Sequence, residues 1–143
     1  MIIYHRGDLF ESTADALAHG CNIRGRMNAG IAVEFKHRFP EMYQDYFQRC
    51  DRDELKLGTG YMYADKRNVI NLMTQSEDGT PLFALHDAFE WLAQSYDKLG
   101  INSVAIPMIG TGLGKLEQTM LKKIAERYFG NIDLKVEIWD TTE

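Results

Sequence analysis

The chain has few cysteines, no long hydrophobic run and no secretion-type start. Only Cys21 and Cys50 occur among 143 residues, and their spacing fits neither a disulfide framework nor a zinc site. No segment approaches the roughly 18 consecutive apolar residues of a membrane span, and no charged start precedes an apolar run. We therefore expect a soluble, cytoplasmic protein without a membrane partner. Because no His, Cys and carboxylate residues cluster at metal-ligand spacing, neither a metal nor another cofactor is expected.

Positive charge is also scarce. The 16 lysines and arginines face 21 acidic residues, which gives a formal net charge of -5. This balance argues against a broad non-specific grip on nucleic acid, because that grip requires many cations to neutralise phosphates. One basic group does stand out, comprising Arg24, Arg26, Lys36, His37 and Arg38. These side chains form either a local basic rim or part of a mixed solvated surface, and the second interpretation is favoured.

Strands and helices alternate along the chain. Apolar runs predict strands at 1–5, 15–21, 57–63, 68–73, 103–108 and 134–139, with a tight turn at 64–67 making a hairpin. Helical spacing predicts helices at 31–39, 41–50 and 116–129, and a long one opened by Thr80-Pro81 and stopped by Gly100. The length suits one domain spanning 1–143. We expect an α/β fold, with a mixed sheet covered by helices on both faces.

Two glycine-rich stretches follow predicted strands and enter predicted helices. Residues 22–32 read NIRGRMNAGIA, here named the first glycine loop, and residues 109–114 read IGTGLG, the second glycine loop. Glycine beside a helix N-terminus offers backbone N–H groups and the positive end of the helix dipole, which together hold phosphate. Both loops would emerge beyond the carboxyl ends of strands, where open sheets bind ligands. The pair predicts a ligand with more than one anionic or polar segment, although turn glycines alone would explain either loop singly.

Four short motifs, taken together in their order and spacing, resemble those of a known family. They are Gly7-Asp8-Leu9, Cys21-Asn22, Asn28-Ala29-Gly30-Ile31-Ala32 and the run IPMIGTGLG at 106–114. Over nearly the whole chain, their order and spacing resemble the macrodomain family of ADP-ribose-binding modules. The branch that looks most similar contains terminal ADP-ribose glycohydrolases, macrodomain antitoxins that remove ADP-ribose from DNA, and yeast-type ADP-ribose 1''-phosphate phosphatases. The resemblance implies a three-layer α/β/α fold around a mixed central sheet.

The resemblance also implies ligand contacts at the adenine end. Asp8 matches the position whose carboxylate accepts a hydrogen bond from the adenine 6-amino group, with the Leu9 N–H close by. As an alternative, Asp8 is a turn residue after Gly7. Trp139 matches a position that often carries an aromatic ring over adenine, where stacking tolerates any flat base. Its alternative is a tryptophan at the edge of the core.

Further contacts are implied for the diphosphate and the distal ribose. Asn22 matches the residue that hydrogen-bonds the distal ribose, and an amide suits a hydroxyl pair because it both donates and accepts. Thr74 and Gln75 match positions beside the ligand. The diphosphate would lie between two sets of loop residues, whose glycines allow close backbone approach. These sets are Asn28, Ala29, Gly30 and Ile31 on one side, and Gly110, Thr111, Gly112, Leu113 and Gly114 on the other.

This chain lacks two reactive groups that enzymes of the resembled branch carry. The glycohydrolase branch carries a lysine where this chain has Gln75, and an acid where it has Gly114. Glutamine cannot form a Schiff base with an opened ribose, which argues against lysine-dependent glycohydrolysis. Lys66, Lys115 or Asp78 would replace these groups only if loops bring them into the site.

His19 is the leading catalytic candidate. The phosphatase branch carries a histidine shortly before the strand-end Cys-Asn, and His19-Gly20-Cys21-Asn22 keeps that form. Its side chain would activate or orient water toward a distal phosphate, because an unperturbed histidine titrates close to neutral pH. The alternative is a core histidine with satisfied hydrogen bonds.

Three functional hypotheses follow. The first is a hydrolase that removes the 1''-phosphate of an ADP-ribose derivative or cleaves ADP-ribose from nucleic acid or protein. The second is a non-catalytic ADP-ribose reader. The third, a generic nucleotide-binding domain, is weaker because no lysine follows a loop in Walker fashion and no GxGxxG follows the first strand. We expect a monomer whose partner is ADP-ribose or an ADP-ribosylated substrate, with nucleic acid only as a modified substrate.

Overall fold

A six-stranded sheet forms the centre of the molecule. The computed structural model describes residues 1–112 and 115–142. Strands lie in the order β1-β6-β5-β2-β4-β3, and β3 pairs antiparallel with β4 while the other pairs are parallel. Their bounds are β1 Ile2–Arg6, β2 Ala16–Cys21, β3 Gly60–Ala64, β4 Asn68–Met73, β5 Ser103–Pro107 and β6 Lys135–Asp140. The predicted mixed sheet and the β3–β4 hairpin are therefore confirmed.

Within residues 1–112 and 115–142, four α-helices cover the two faces of this sheet. They are α1 Ile31–Arg38, α2 Pro40–Asp51, α3 Leu82–Leu99 and α4 Gln118–Phe129, and a 3₁₀ turn covers Leu9–Glu11. Pro40 is the first residue of α2 because it lacks the N–H that continues a helix but suits a first turn. Gly100 ends α3 in the left-handed conformation, with a φ of 73°. In the described part of the chain, no helix combines the length and apolarity needed to cross a membrane.

The sheet separates two apolar layers. One buries side chains of α3 and α4 against even-numbered residues of the central strands, such as Ala18, Ile70 and Leu72. The other packs α1, α2 and the 3₁₀ turn against odd-numbered residues, such as Leu17 and Val69. The alternation follows from the strand geometry, since neighbouring side chains point to opposite faces. This arrangement is the expected three-layer α/β/α fold.

Most element boundaries agree with the sequence prediction to within one residue, and two starting positions differ by more. The strand expected at 57–63 begins only at Gly60, because Gly58 adopts a φ of 87° and Thr59 hydrogen-bonds back to the Lys56 carbonyl in a turn. The helix expected at 116–129 begins at Gln118. The first shift lies in a turn, where local hydrogen bonds override hydrophobic spacing. The second arises because Glu117 is extended, with a ψ of 140°, and precedes the first helical residue.

Candidate functional site

A cleft opens where the chain leaves two neighbouring strands toward opposite faces. β2 leads to α1 in one helical layer, and β5 leads to α4 in the other. Such a divergence leaves a crevice at the carboxyl ends of the strands. The crevice here has a volume of about 500 Å³, and both glycine loops line it. The sequence prediction that the two loops meet at one site is therefore reproduced in the structure.

A second cavity of about 660 Å³ continues from this cleft toward β1. The two spaces share Ile31, Thr141 and Thr142 as wall residues. The second cavity is lined at its other end by Arg6, Gly7, Asp8, Leu9 and Phe10. We call this part the β1 end and the part beside residues 75–79 the β4 end. Together they form one groove along the carboxyl edge of the sheet.

The first glycine loop is fixed by Asn22. Its Oδ1 accepts from the Arg24 N–H at 2.9 Å, and its Nδ2 donates to the Arg26 carbonyl at 2.8 Å. The buried Tyr46 hydroxyl lies 2.8 Å from both Asn22 oxygens. Asn22 lines the cleft, as predicted, but in this structure its amide holds the loop in shape.

The rest of this loop forms one wall of the cleft. Asn28, Ala29 and Gly30 are exposed there, and Ile31 begins α1. Gly30 has a φ of 59°, a conformation that side chains other than glycine rarely adopt. The N-terminus of α1 therefore faces the cleft without a side-chain cap, and its backbone N–H groups are available to an anion.

The opposite wall comes from the second glycine loop. Gly110 has a φ of 80° and packs closely on Thr80, since an added Cβ would lie 2.8 Å from its Oγ1. A Cβ at Gly112 would meet no described atom within 4 Å, so this residue borders open cleft space. Thr111 also lines the cleft, and its hydroxyl donates to the Met108 carbonyl. Leu113 and Gly114, which were predicted to contact the ligand, lie outside the described residues.

Residues 74 and 75 connect β4 to the cleft. Both backbone N–H groups donate to the Cys21 carbonyl, at 3.1 Å for Thr74 and 3.0 Å for Gln75. Gln75 lines the cleft, as predicted, and accepts a hydrogen bond from Thr80 at 2.8 Å. Thr74 was also predicted to contact the ligand, but its side chain is fully buried and does not line the cleft. Gly20 permits this packing, because a Cβ there would lie 2.6 Å from Thr74 Oγ1.

The β1 end contains the predicted Asp8 and Leu9 but a different aromatic ring. Asp8 is exposed, and its Oδ1 caps the 3₁₀ turn by accepting from the Phe10 N–H at 3.0 Å. Phe10 lines this cavity, whereas Trp139 lines neither cavity. The Trp139 ring stacks on His5 at 4.5 Å, and its indole N–H donates to Glu137. The structure therefore supports the core-edge interpretation of Trp139.

His19 requires the clearest correction. Its ring is fully buried, stacked on Phe35 at 3.8 Å, and its Nε2 lies 2.7 Å from Asn71 Oδ1. Because that oxygen can only accept, Nε2 carries the proton of the neutral ring. Burial lowers the pKa of His19 to about 4, and the hydrogen bond to Asn71 opposes this only in part. A buried ring covered by α1 cannot activate water in the cleft, so we do not retain His19 as a catalytic residue.

The suggested replacements for the missing reactive groups do not line the cleft. Lys66 lies in the β3–β4 turn, at the opposite edge of the sheet. Lys115 and Asp78 are exposed, and neither belongs to the walls of the two cavities. Within the described ranges, no group of three or more His, Cys, Asp or Glu residues is arranged to hold a metal ion.

Several wall residues were not predicted as ligand contacts, although Arg24 and Arg26 belonged to the possible basic rim. Arg24 and Arg26 line the cleft from the first glycine loop, and Glu77 lines it from the loop after β4. Arg24 and Glu77 form an ion pair with each other. Thr141 and Thr142 follow β6 and line both cavities. The rule that ligand sites form beyond strand ends, applied to every parallel strand, would have indicated these last two.

The sequence matches known proteins of one family. The family model described as Macro domain matches residues 18–125. A DNA ADP-ribosyl glycohydrolase of Mycobacterium tuberculosis is 35% identical over 125 residues, which is 82% of this chain and 35% of that protein. An ADP-ribose 1''-phosphate phosphatase of Candida albicans is 35% identical over 94 residues, covering 60% of each chain. This chain spans only 35% to 40% of the length of the first DNA ADP-ribosyl glycohydrolases that it matches.

Solved structures agree with the sequence matches. The macrodomain of Mycobacterium tuberculosis DarG superposes with a TM-score of 0.94 at 29% identity, covering 99% of both chains. The structure of Thermosipho africanus DarTG in complex with ADP-ribose gives a TM-score of 0.87 at 26% identity, over 93% of this chain and 39% of that one. With its sheet order, its two glycine loops and a family match over most of its length, this chain belongs to the macrodomain family.

Proposed function

We propose that this protein binds ADP-ribose along the groove and hydrolyses a bond at the distal ribose of an ADP-ribose derivative. The observation that carries the proposal is the convergence of both glycine loops on one cleft at the carboxyl ends of β2 and β5. The similar proteins are named as hydrolases of ADP-ribosylated DNA or of ADP-ribose 1''-phosphate, and one similar structure holds ADP-ribose. These names support the proposal by analogy.

The shape of the groove suggests a direction for the ligand. Adenine would lie at the β1 end, beside the Asp8 carboxylate and the Phe10 ring. The diphosphate would lie between the uncapped start of α1 and the backbone around Gly112, where N–H groups can approach its oxygens. The distal ribose would then lie at the β4 end, beside Gln75.

The position of His19 helps to decide which bond of the substrate is hydrolysed. The phosphatase hypothesis depended on this ring acting in the cleft, and the ring is buried. We therefore place cleavage of the bond between the distal ribose and a modified nucleic acid or protein ahead of phosphate removal. Action as a monomer is part of the same proposal. Both described cysteines are free thiols, which is compatible with a reducing, cytoplasmic location.

Gly112→Val tests ligand binding by filling the cleft. We expect the variant to bind ADP-ribose at least tenfold more weakly by calorimetry, about 1.4 kcal/mol. Its melting temperature should change little, because a Cβ at this position meets no described atom within 4 Å. The control is Ala64→Val, an exposed position on β3 at the opposite edge of the sheet, which should bind like the wild type.

A turnover panel separates the functional hypotheses. Its substrates are an ADP-ribosylated DNA oligonucleotide, an ADP-ribosylated protein and ADP-ribose 1''-phosphate. We expect release of ADP-ribose from one of the first two. Tight binding without turnover of any substrate would instead favour a reader, and no binding at millimolar ADP-ribose would overturn the proposed function altogether.

A further inference from the structure

A hydrolase of this kind needs a group that can activate water, and the usual positions do not supply one. Glutamine occupies position 75 and glycine occupies position 114. Among the described residues, the carboxylates that line the cleft are Glu77 and Asp140. Both are available as bases, so their positions along the groove decide between them.

Asp140 lines the part of the cleft that lies toward β1, away from the β4 end. It ends β6, which lies two strands away from β2 on the side of β1. Its Oδ1 accepts from the Thr142 N–H at 3.0 Å and from the Thr142 hydroxyl at 2.5 Å, and these bonds lower its pKa. Glu77 instead follows β4, beside the β4 end where the distal ribose is proposed to lie.

Glu77 is presented by a turn that is bonded to itself and to the sheet. The Ser76 N–H donates to the Gly79 carbonyl at 2.7 Å, and the Ser76 hydroxyl donates to the same oxygen at 3.0 Å. At one end of the turn, the Gln75 N–H donates a hydrogen bond to the Cys21 carbonyl. At the other end, Thr80 packs on Gly110. A reactive group on so constrained a turn is held in a defined position.

Arg24 holds the Glu77 carboxylate from across the cleft. Its guanidinium pairs with Glu77 Oε1, and its backbone N–H is fixed by Asn22 Oδ1 at 2.9 Å. The two side chains are 38% and 72% exposed, so the pair adds little to stability. Its effect is geometric, since it keeps the carboxylate at the β4 end while leaving Oε2 available to water.

We propose that Glu77 is the catalytic carboxylate of this site and that Arg24 is its positioning residue. This inference depends on the proposed hydrolysis. Glu77 accepts a proton from a water molecule as the water oxygen forms a bond to C1'' of the distal ribose. The bond from C1'' to the modified group breaks, its electron pair leaves with that group, and the group takes up a proton from Glu77 or solvent. Nothing is oxidised or reduced.

Glu77→Gln tests this assignment with the smallest change in shape. We expect kcat for release of ADP-ribose from the ADP-ribosylated oligonucleotide to fall by about 10² to 10⁴, the usual contribution of general acid–base catalysis. The Kd for ADP-ribose should change by less than threefold, because the amide can still accept from Arg24. The matched control is Asp78→Asn, which removes the neighbouring acid outside the cleft walls and should keep wild-type kcat.

Chemical rescue distinguishes a reactive carboxylate from a structural one. Added formate should restore part of the activity of Glu77→Ala by supplying a carboxylate in the vacated space, and it should not accelerate Asp78→Asn. Arg24→Gln should lower kcat by about tenfold with little change in KM, because it releases Glu77 without removing it.

The possible outcomes separate this inference from the proposed function. A wild type that releases ADP-ribose, together with a Glu77→Gln variant of equal kcat, overturns the role of Glu77 and leaves the hydrolysis intact. An equal loss of kcat in Asp78→Asn also overturns it, because the loop would then matter only as structure. No release by the wild type from any panel substrate overturns both proposals, while calorimetry still measures binding.

Discussion

The two faces of the sheet are built differently. The layer under α3 and α4 is a continuous apolar cluster in which Phe89 and Phe129 lie 4.9 Å apart. The layer under α1 and α2 also buries His19, Asn71 and Glu137. Apolar packing dominates the first layer, where His86 and Tyr128 add one partly buried hydrogen bond between α3 and α4 at 2.7 Å, whereas several buried polar groups form hydrogen bonds within the second.

Hydrogen bonds within this layer lie both in its interior and at the site. Asn71 links His19 to the Tyr61 hydroxyl, with distances of 2.7 Å and 3.0 Å. Tyr46 reaches from the same layer to Asn22 in the first glycine loop. Hydrogen bonds fix positions more narrowly than apolar packing does. The comparison indicates that the α1/α2 layer positions the first glycine loop, whereas the α3/α4 layer contributes mainly to stability.

Phe89→Ala should produce the largest effect on stability. Phe89 is fully buried in the α3/α4 layer, so truncation removes apolar contacts and leaves a cavity. We expect a loss of about 3–5 kcal/mol in the free energy of unfolding. Urea denaturation measures this loss, and calorimetry of the variant while folded should give an ADP-ribose affinity close to that of the wild type.

The control for this variant is Phe83→Ala in the same helix. Phe83 is 57% exposed, so its removal should change the free energy of unfolding by less than about 1 kcal/mol. A comparable loss in both variants would mean that the helix, rather than the apolar layer, sets the stability.

Lowering the pH should decrease the free energy of unfolding, because His19 binds a proton more readily in the unfolded chain. Its pKa is about 4 in the folded protein because of burial and about 6.5 when unfolded. Between these values the unfolded chain binds the extra proton, so stability falls as the pH decreases from 6.5 toward 4. Compared with His19→Gln, the wild type should lose about 2 kcal/mol more between pH 6.5 and 4.5. Urea denaturation at both pH values measures the difference, and parallel losses would contradict a buried neutral ring.

Tyr46→Phe should have the smallest effect on stability of these variants, and it should also lower the affinity of the site for ADP-ribose. The change removes the hydroxyl that bonds to both Asn22 oxygens, at a cost of about 1 kcal/mol in unfolding free energy. ADP-ribose affinity should fall several-fold because the first glycine loop is less constrained. In calorimetry, Tyr96→Phe in the opposite layer serves as the control, and equal affinities in the two variants would remove the distinction between the layers.

Local sequence signals predicted most of the fold. Pro40 and Gly100 lie at helix boundaries because proline lacks an N–H and glycine adopts a left-handed conformation. The strand at 57–63 was predicted too long, because hydrophobic spacing does not reveal the turn made by Gly58. The two glycine loops could be found from the sequence, because glycine allows backbone conformations and close approaches that other residues rarely permit.

The candidate site was predicted only in part. Asp8, Asn22 and Gln75 line the groove where the motifs indicated. Trp139 and His19 do not, because the direction of a side chain at a strand end depends on which face is packed. Arg24 and Glu77 are 53 positions apart in the chain, and no local pattern joins them.

By itself, the amino-acid sequence determined the order of elements, the two glycine loops and the resemblance to macrodomains, since each depends on residues close together in the chain. Only the tertiary structure decided that His19 is buried and that Glu77 meets Arg24 across the cleft. The burial of His19 and the pairing of Glu77 with Arg24 both depend on how β2, β4 and α1 pack together. Residue type and spacing within a short stretch of sequence do not determine that packing.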